Sequence, residues 1–353
     1  MALFGPGSIC GNSEVKQEQG IREQDQFHTW RVGDTGERLV SKQRKTAETM
    51  QAKKILIFGQ VGQVGWELKH KLCCLGDVVS VEYPAVDFTR PETLRAAVAE
   101  HRPAVIVNAA AYTAVDKAEE EEERALAING VAPGILAEEA KKRNALLIHY
   151  STDYVFNGAG NEPWTEQSVP APLNAYGRTK LAGDQAIAAV GCEHLIFRTS
   201  WVYGARGNNF LLTMLKLAQT RSELSIVDDQ IGAPTTSECI AQATSDVLAQ
   251  VLAPAGKGID GRSGVYNLCN GGETTWFGFA EAIFARAAAR LGTMQPTLTP
   301  IPTEKFSRPA QRPRNSRLSA EKLATHFGLR LPQWTLGLEL VLETLGEGVG
   351  SWK

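Results

Sequence analysis

Tyr176 and Lys180 stand four residues apart in Tyr176-Gly-Arg-Thr-Lys180. That spacing places both on one face of a helix. An ammonium beside a phenol favours phenolate, so the spacing predicts a tyrosine pKa lowered from about 10 towards working pH. Such a tyrosine can exchange a proton with a substrate hydroxyl or carbonyl oxygen. A second polar cluster, Ser151-Thr152-Asp153, leaves the apolar run 146–150. Catalytic groups gather at the carboxyl ends of parallel strands, so a hydroxyl here suits a bond to the reacting oxygen. Thr152 takes that role, with Ser151 as its competitor. His149 lies inside the run and reads as packing. A third feature is Gly59-Gln-Val-Gly62-Gln-Val-Gly65. This G-x-x-G-x-x-G relates to the dinucleotide fingerprint, where glycines let a pyrophosphate approach a helix N-terminus.

These residues need elements to hold them. Residues 54–58 form a short apolar run, as a strand buried on both faces requires. The glycine motif follows at once, and then a helix-compatible stretch, 66–75. A second strand, 78–81, ends at Glu82. An acid roughly 20 residues past the first glycine can bond the adenine ribose hydroxyls and disfavours a 2′-phosphate. The physics therefore leans towards NADH over NADPH. Asp87 and Phe88 suit contact with adenine; an N-cap and a core phenylalanine explain them equally well. A third strand, 104–108, runs into small residues 109–111 that permit close approach of a cofactor. Residues 119–123 read as a solvated acidic helix start, and 125–143 as a helix carrying Asn129. Beyond residue 204 the alternation weakens into a helix at 208–219, a strand at 224–227 and a helix at 237–252. The pattern predicts an α/β fold: a Rossmann-type doubly wound parallel sheet with a smaller C-terminal substrate lobe. Residues 50–204 are mainly the NAD(P)-binding domain with the Tyr/Lys pair. Residues 205–353 are mainly the substrate lobe, interleaved with the core.

Composition sets the outer limits. A chain of 353 residues, 43% hydrophobic and 22% charged, is long enough for one large domain or two unequal ones. Its net charge of −2 argues against a bulk nucleic-acid binder. No apolar run reaches the roughly 18 residues of a membrane helix. The six cysteines lack C-x-x-C spacing and read as reduced thiols of a cytoplasmic protein. Residues 1–49 are polar, with apolar residues scattered singly. They read as a disordered extension or as an artefact of the assigned gene start.

The combination of glycine motif, strand-end threonine and Tyr/Lys pair resembles extended short-chain dehydrogenase/reductases. Dehydratases of that superfamily usually carry Asp-Glu after the threonine, an acid and a base for removing water. Here Tyr154 replaces the glutamate, which argues for simple hydride transfer. The longer blocks His149–Phe156, Pro172–Gly183, Phe197–Tyr203, Asp228–Thr235 and Arg312–Leu318 resemble the dTDP-4-dehydrorhamnose reductase family across residues 53–345. The resemblance implies reduction of the 4-keto group of dTDP-4-dehydro-β-L-rhamnose with NADPH or NADH, giving dTDP-L-rhamnose for surface polysaccharide.

Residue by residue, the resemblance implies that Gly62, Gln63 and Val64 hold the pyrophosphate. Glu82 stands where the family more often has Asp. Asp87 and Phe88 match adenine contacts. Ala111, Tyr112, Thr113 and Tyr150 match further cofactor contacts. Thr152, Asp153 and Trp201 match substrate contacts, and Tyr176 and Lys180 the catalytic pair. From its position alone, Trp201 at a strand end is also a common core residue. Arg308, Arg312, Arg314 and Arg317 suit a diphosphate or a solvated basic loop. The resemblance also implies Mg²⁺ and a homodimer contact through Glu67 and Glu238; the third glutamate of that set falls one place off, at Glu343. Two alternatives stay open. One is a reductase of another dTDP-4-keto-6-deoxy sugar. The other is a non-catalytic partner protein, as in the regulatory subunit of methionine adenosyltransferase, which resembles the same family.

Overall fold

A computed structural model describes residues 53–253, 258–291 and 295–347. The extension at 1–49 lies outside the described residues. Five parallel strands follow one another: β1 (Lys54–Phe58), β2 (Asp77–Val81), β3 (Val105–Asn108), β4 (Leu146–Thr152) and β5 (His194–Thr199). A sixth, β10 (Gly264–Asn267), returns from the second half of the chain to pair with β5. The sheet order is β10-β5-β4-β3-β1-β2, parallel throughout. The order reverses between β1 and β3, and that switch point opens a crevice at the strands' carboxyl ends.

The strands are apolar at consecutive positions because both faces are covered. On one face Ile55, Ile57, Val105 and Val107 pack against helices α1 (Gln63–Leu72) and α6 (Ser237–Leu252). On the other, Leu56, Phe58, Ile106 and Leu147 pack against α2 (Pro91–His101), α3 (Ala132–Arg143) and α4 (Ala175–Val190). The alternation of period two assigns each strand residue to one layer. A separate core joins α5 (Phe210–Ala218), β7 (Glu223–Val227), α7 (Trp276–Leu291) and α9 (Trp334–Glu347) around Leu211, Ile226, Phe279, Ile283 and Leu342. This core is the smaller lobe.

The helix read at 125–143 is not one regular helix. A short helix, Glu122–Leu126, passes into a π turn, Ala127–Val131, before α3 begins. Such π turns inside helices are rare and concentrate at functional sites. Here the turn carries Asn129.

Candidate active site

A single cavity of about 1280 Å³ runs from the glycine loop past the Tyr/Lys pair to the lobe. Gly59, Gly62, Gln63 and Val64 line its nucleotide end. Gly59 adopts φ +85°, and a Cβ there would lie 2.5 Å from the Ala110 nitrogen. A Cβ on Gly65 would lie 2.0 Å from the Gly59 carbonyl oxygen; Gly65 does not face the cavity but lets α1 sit on the loop. The N-terminus of α1 has no side-chain cap and no acid in its first turn, so its free N–H groups and dipole favour an anion. Gln63 also accepts a hydrogen bond from Asn209 at 2.9 Å, tying the loop to the start of α5.

Glu82, Asp87, Phe88, Ala111 and Thr113 line the same cavity. The Glu82 carboxylate accepts the Gln60 backbone N–H. Burial raises its pKa, and the loop's N–H groups act against that rise. Asp87 accepts two hydrogen bonds from Thr89, at 2.9 and 2.7 Å, which hold its carboxyl below the usual range. Phe88 meets Phe58 edge-on. Tyr112 is not among the residues lining the cavity. Its peptide is clamped on both sides by the Asn129 amide, at 2.8 and 3.1 Å, and its hydroxyl donates to Glu121. Both polar parts of Tyr112 are therefore already engaged within the protein. Asn129 also donates to Thr179 at 3.2 Å, so the π turn holds the loop after β3 against α4.

Helix α4 begins at Asn174, whose side chain accepts the Gly177 N–H at 2.8 Å. Glu119 accepts the Ala175 N–H, and Glu122 pairs with Arg178 at 2.9 Å. Two glutamates of the stretch read as solvated thus pin the helix that carries Tyr176 and Lys180. One turn separates Tyr176 from Lys180, and both face the cavity with Thr152, Asp153 and Trp201. The predicted lowering of the Tyr176 pKa is not what the structure gives. Burial pushes the phenol up to about 12, with the Thr152 hydroxyl acting the other way. The Lys180 amine points elsewhere: it donates to the Tyr150 carbonyl at 2.5 Å and meets His149 Nε2 at 3.1 Å. Burial lowers Lys180 to about 8. Tyr150 contributes that carbonyl; its own hydroxyl turns to Thr244 at 2.8 Å.

Thr152 accepts the Tyr154 N–H and donates to Asp153, both at 3.1 Å. Asp153 is 2% exposed and its second oxygen has no partner; burial raises its pKa to about 6. The competitor, Ser151, donates instead to buried Asp184 at 3.0 Å. Trp201 sits at φ +49°, a costly conformation for a non-glycine residue. Its ring stacks on Trp276 at 3.7 Å and lies over Gly232, where a Cβ would meet the indole at 2.6 Å. Trp276 carried no local motif in the sequence, and Gly232 lay within the block 228–235 without a role of its own. The four arginines are matched to acids: Arg312 to Asp116 at 3.0 Å, Arg308 to Asp116 at 3.9 Å, Arg317 to Glu273 at 3.2 Å, and Arg314 to Asp229 and Glu304. None is among the residues lining the cavity.

The expected Mg²⁺ pair meets an ammonium. Lys71 bonds Glu238 at 2.9 Å, and Glu67 is raised by burial and by Glu238. Glu343 pairs with Arg290. Among the described residues no three His, Cys, Asp or Glu side chains gather as a metal site, and no helix is long and apolar enough to cross a membrane.

The family described as RmlD substrate binding domain matches residues 53–347. The dTDP-4-dehydrorhamnose reductase of Burkholderia thailandensis is 46% identical over 297 residues, covering 83% of this chain and 99% of that protein. The enzyme of the same name from Escherichia coli is 45% identical over 296 residues, covering 82% and 97%. A crystal structure of dTDP-4-dehydrorhamnose reductase from Bacillus anthracis in complex with NADP superposes with a TM-score of 0.76 at 34% identity, covering 83% of this chain and 99% of that one. With a match that takes in both the nucleotide fold and the lobe, the chain belongs to the RmlD substrate binding domain family, that of the dTDP-4-dehydrorhamnose reductases.

Proposed function

We propose that this protein reduces the 4-keto group of dTDP-4-dehydro-β-L-rhamnose to dTDP-L-rhamnose with NADPH or NADH, a step of dTDP-rhamnose biosynthesis. One observation carries the reading: the glycine loop, Thr152, Tyr176, Lys180 and Trp201 all border one cavity. The residues fit a dinucleotide. Gly59 and Gly65 let the loop pack against residues 109–110 and against the start of α1, and Gln63 and Val64 open a helix whose free N–H groups suit a pyrophosphate. When bound, the dinucleotide supplies the hydride for the carbonyl carbon.

The protein's own residues handle the oxygen and the proton. Tyr176, a phenol pushed up to about 12, holds its proton at neutral pH and gives it to the alkoxide oxygen. Thr152 stands beside it as a second hydroxyl for the same oxygen. Donors fixed before the charge develops lower the barrier most effectively. Lys180, in its ammonium form, stabilises the phenolate left on Tyr176. Trp201 and Trp276 offer a stacked aromatic wall to the sugar, and Asp153 a carboxyl at its edge. Tyr154 packs edge-on against Tyr176 and supplies no base for elimination, in keeping with simple reduction.

The test is an absorbance assay with freshly made dTDP-4-keto-6-deoxy-L-sugar and NADPH. The protein should oxidise NADPH, and Tyr176→Phe should lower turnover by a factor on the order of 10² or more while cofactor affinity holds. Near-normal turnover in Tyr176→Phe would mean another proton donor. No oxidation by the parent protein would move the reading to a non-catalytic partner protein. Product analysis against the C4 epimer separates dTDP-L-rhamnose from other sugars. Sedimentation at several concentrations tests the homodimer.

A further inference from the structure

Behind Lys180 lies a row of side chains with no part in the mechanism above. The lysine amine meets His149 Nε2 at 3.1 Å. His149 Nδ1 lies 3.1 Å from the Asn108 amide nitrogen. The Asn108 oxygen accepts the Ala110 backbone N–H at 3.2 Å. All three side chains are buried, at 0–1% exposure. Each hydrogen bond therefore lacks water as an alternative.

The row fixes its own protons. An amide's oxygen and nitrogen are told apart by their partners. A backbone N–H can only donate, so the Asn108 oxygen faces Ala110 and its NH₂ faces His149. Nδ1 must then accept. A neutral imidazole carries one proton, which falls on Nε2 and points at the lysine. An ammonium has three donors and no lone pair; a neutral amine has a lone pair to accept that N–H. Burial holds His149 neutral, well below its usual range, and whenever Lys180 is an ammonium its charge acts the same way.

We propose that Asn108 and His149 are positioning residues that set the protonation of Lys180: Asn108 keeps the His149 proton on Nε2, and that N–H favours the neutral amine over the ammonium. The proposal rests on the reductase reading for its kinetic consequence. The other charged or titratable groups around the amine act less directly. Asp184, one turn along α4, favours the ammonium; Arg198 on β5 and Ser151 on β4 bond one of its oxygens, Oδ2, at 3.2 and 3.0 Å, and its other oxygen has no partner. Tyr176 on α4 stays protonated at neutral pH. Asp153 lies past the end of β4, bonded to Thr152.

Reduction leaves a phenolate at Tyr176 that an ammonium stabilises and an amine does not. Activity should thus fall as pH rises through the lysine's titration. His149→Gln gives the lysine an amide oxygen that accepts from an ammonium. His149→Leu gives it nothing. We expect the alkaline limb of kcat/KM to move up by about one pH unit in His149→Gln and by less in His149→Leu, which removes the N–H but supplies no acceptor. Nitrogen NMR of the histidine rings of the parent protein reads the tautomer directly, and the His149 signals are those lost on substitution. A protonated Nε2 with a bare Nδ1, together with a larger upward shift in His149→Gln than in His149→Leu, supports the pair. A proton on Nδ1, or an alkaline limb in His149→Gln identical to the parent's, overturns it. If the parent fails to reduce the ketosugar, the reductase reading falls separately, and the tautomer still decides the state of the row.

Discussion

Asp153 holds a carboxyl where its charge is least well accommodated. It is buried, one oxygen lacks a partner, and its pKa rises from the ordinary 3.8 to about 6. The folded state therefore binds a proton that the unfolded chain has lost between pH 3.8 and 6. Stability falls as pH rises through that window, because the native state then binds more protons than the unfolded one. Asp153→Asn should raise the melting temperature by a few degrees at pH 7.5 and by clearly less at pH 5, with calorimetry at both values as the check. The same change should raise KM for the sugar nucleotide. An equal gain at both pH values would show that burial of the charge is not the cause. A functional group kept at a cost to stability is the usual mark of a site.

At the level of elements, β2 and the glycine loop are joined by Glu82, and β8 (Ile231–Gly232) is shaped to the indole of Trp201. Glu82 has two roles: its charge faces the crevice, and one oxygen holds the Gln60 N–H. Glu82→Gln should move the ratio of kcat/KM towards NADPH, by roughly 1 kcal/mol for a charge pair about 4 Å apart in water. High salt should shrink the effect. Glu82→Ala should also raise KM for both cofactors, since it frees the loop. An unchanged ratio in Glu82→Gln would mean that the carboxylate does not read the ribose. Gly232→Ala should push the indole off its seat. The expected result is a KM for the sugar nucleotide raised on the order of tenfold, the scale of a lost aromatic contact, with cofactor KM little changed. A rise in cofactor KM alone would detach Trp201 from the sugar.

For the molecule as a whole, the nucleotide fold and the lobe share one chain that passes repeatedly between them: residues 240–251 and 323–327 pack with the sheet, 211–226, 279–287 and 338–345 with the lobe. β10 leaves the second half to extend the main sheet, and Asn209 of the lobe bonds Gln63 of the glycine loop. Cofactor and sugar sites are thus built on one connected core, and separate expression of the two halves should give no folded product. The first 49 residues show no periodic apolar face, and the family match begins at residue 53. A chain beginning at Met50 should keep its melting temperature and activity. A loss of several degrees on truncation would mean that the extension packs on the core.

The Tyr/Lys pair, the glycine loop and the first four strands were legible in the sequence because each depends on local spacing. Tyr176 and Lys180 share a face at a helical interval, and strands buried on both sides read as unbroken apolar runs. Local spacing could not reveal where the lysine's amine points. That depends on β4 and β3 lying side by side, which brings His149 and Asn108 behind Lys180, 31 and 72 residues further on. It also depends on burial, which reversed the predicted direction for the Tyr176 pKa. The π turn at Asn129 is equally invisible, since one extra residue in a helical turn leaves the apolar pattern almost unchanged. Trp276 and Gly232 join the site only when the lobe folds over Trp201. The sequence by itself determined which chemistry the chain carries and on which elements. Tertiary structure decided the protonation, the orientation and the hidden partners, because those follow from desolvation and from contacts between residues distant in the chain.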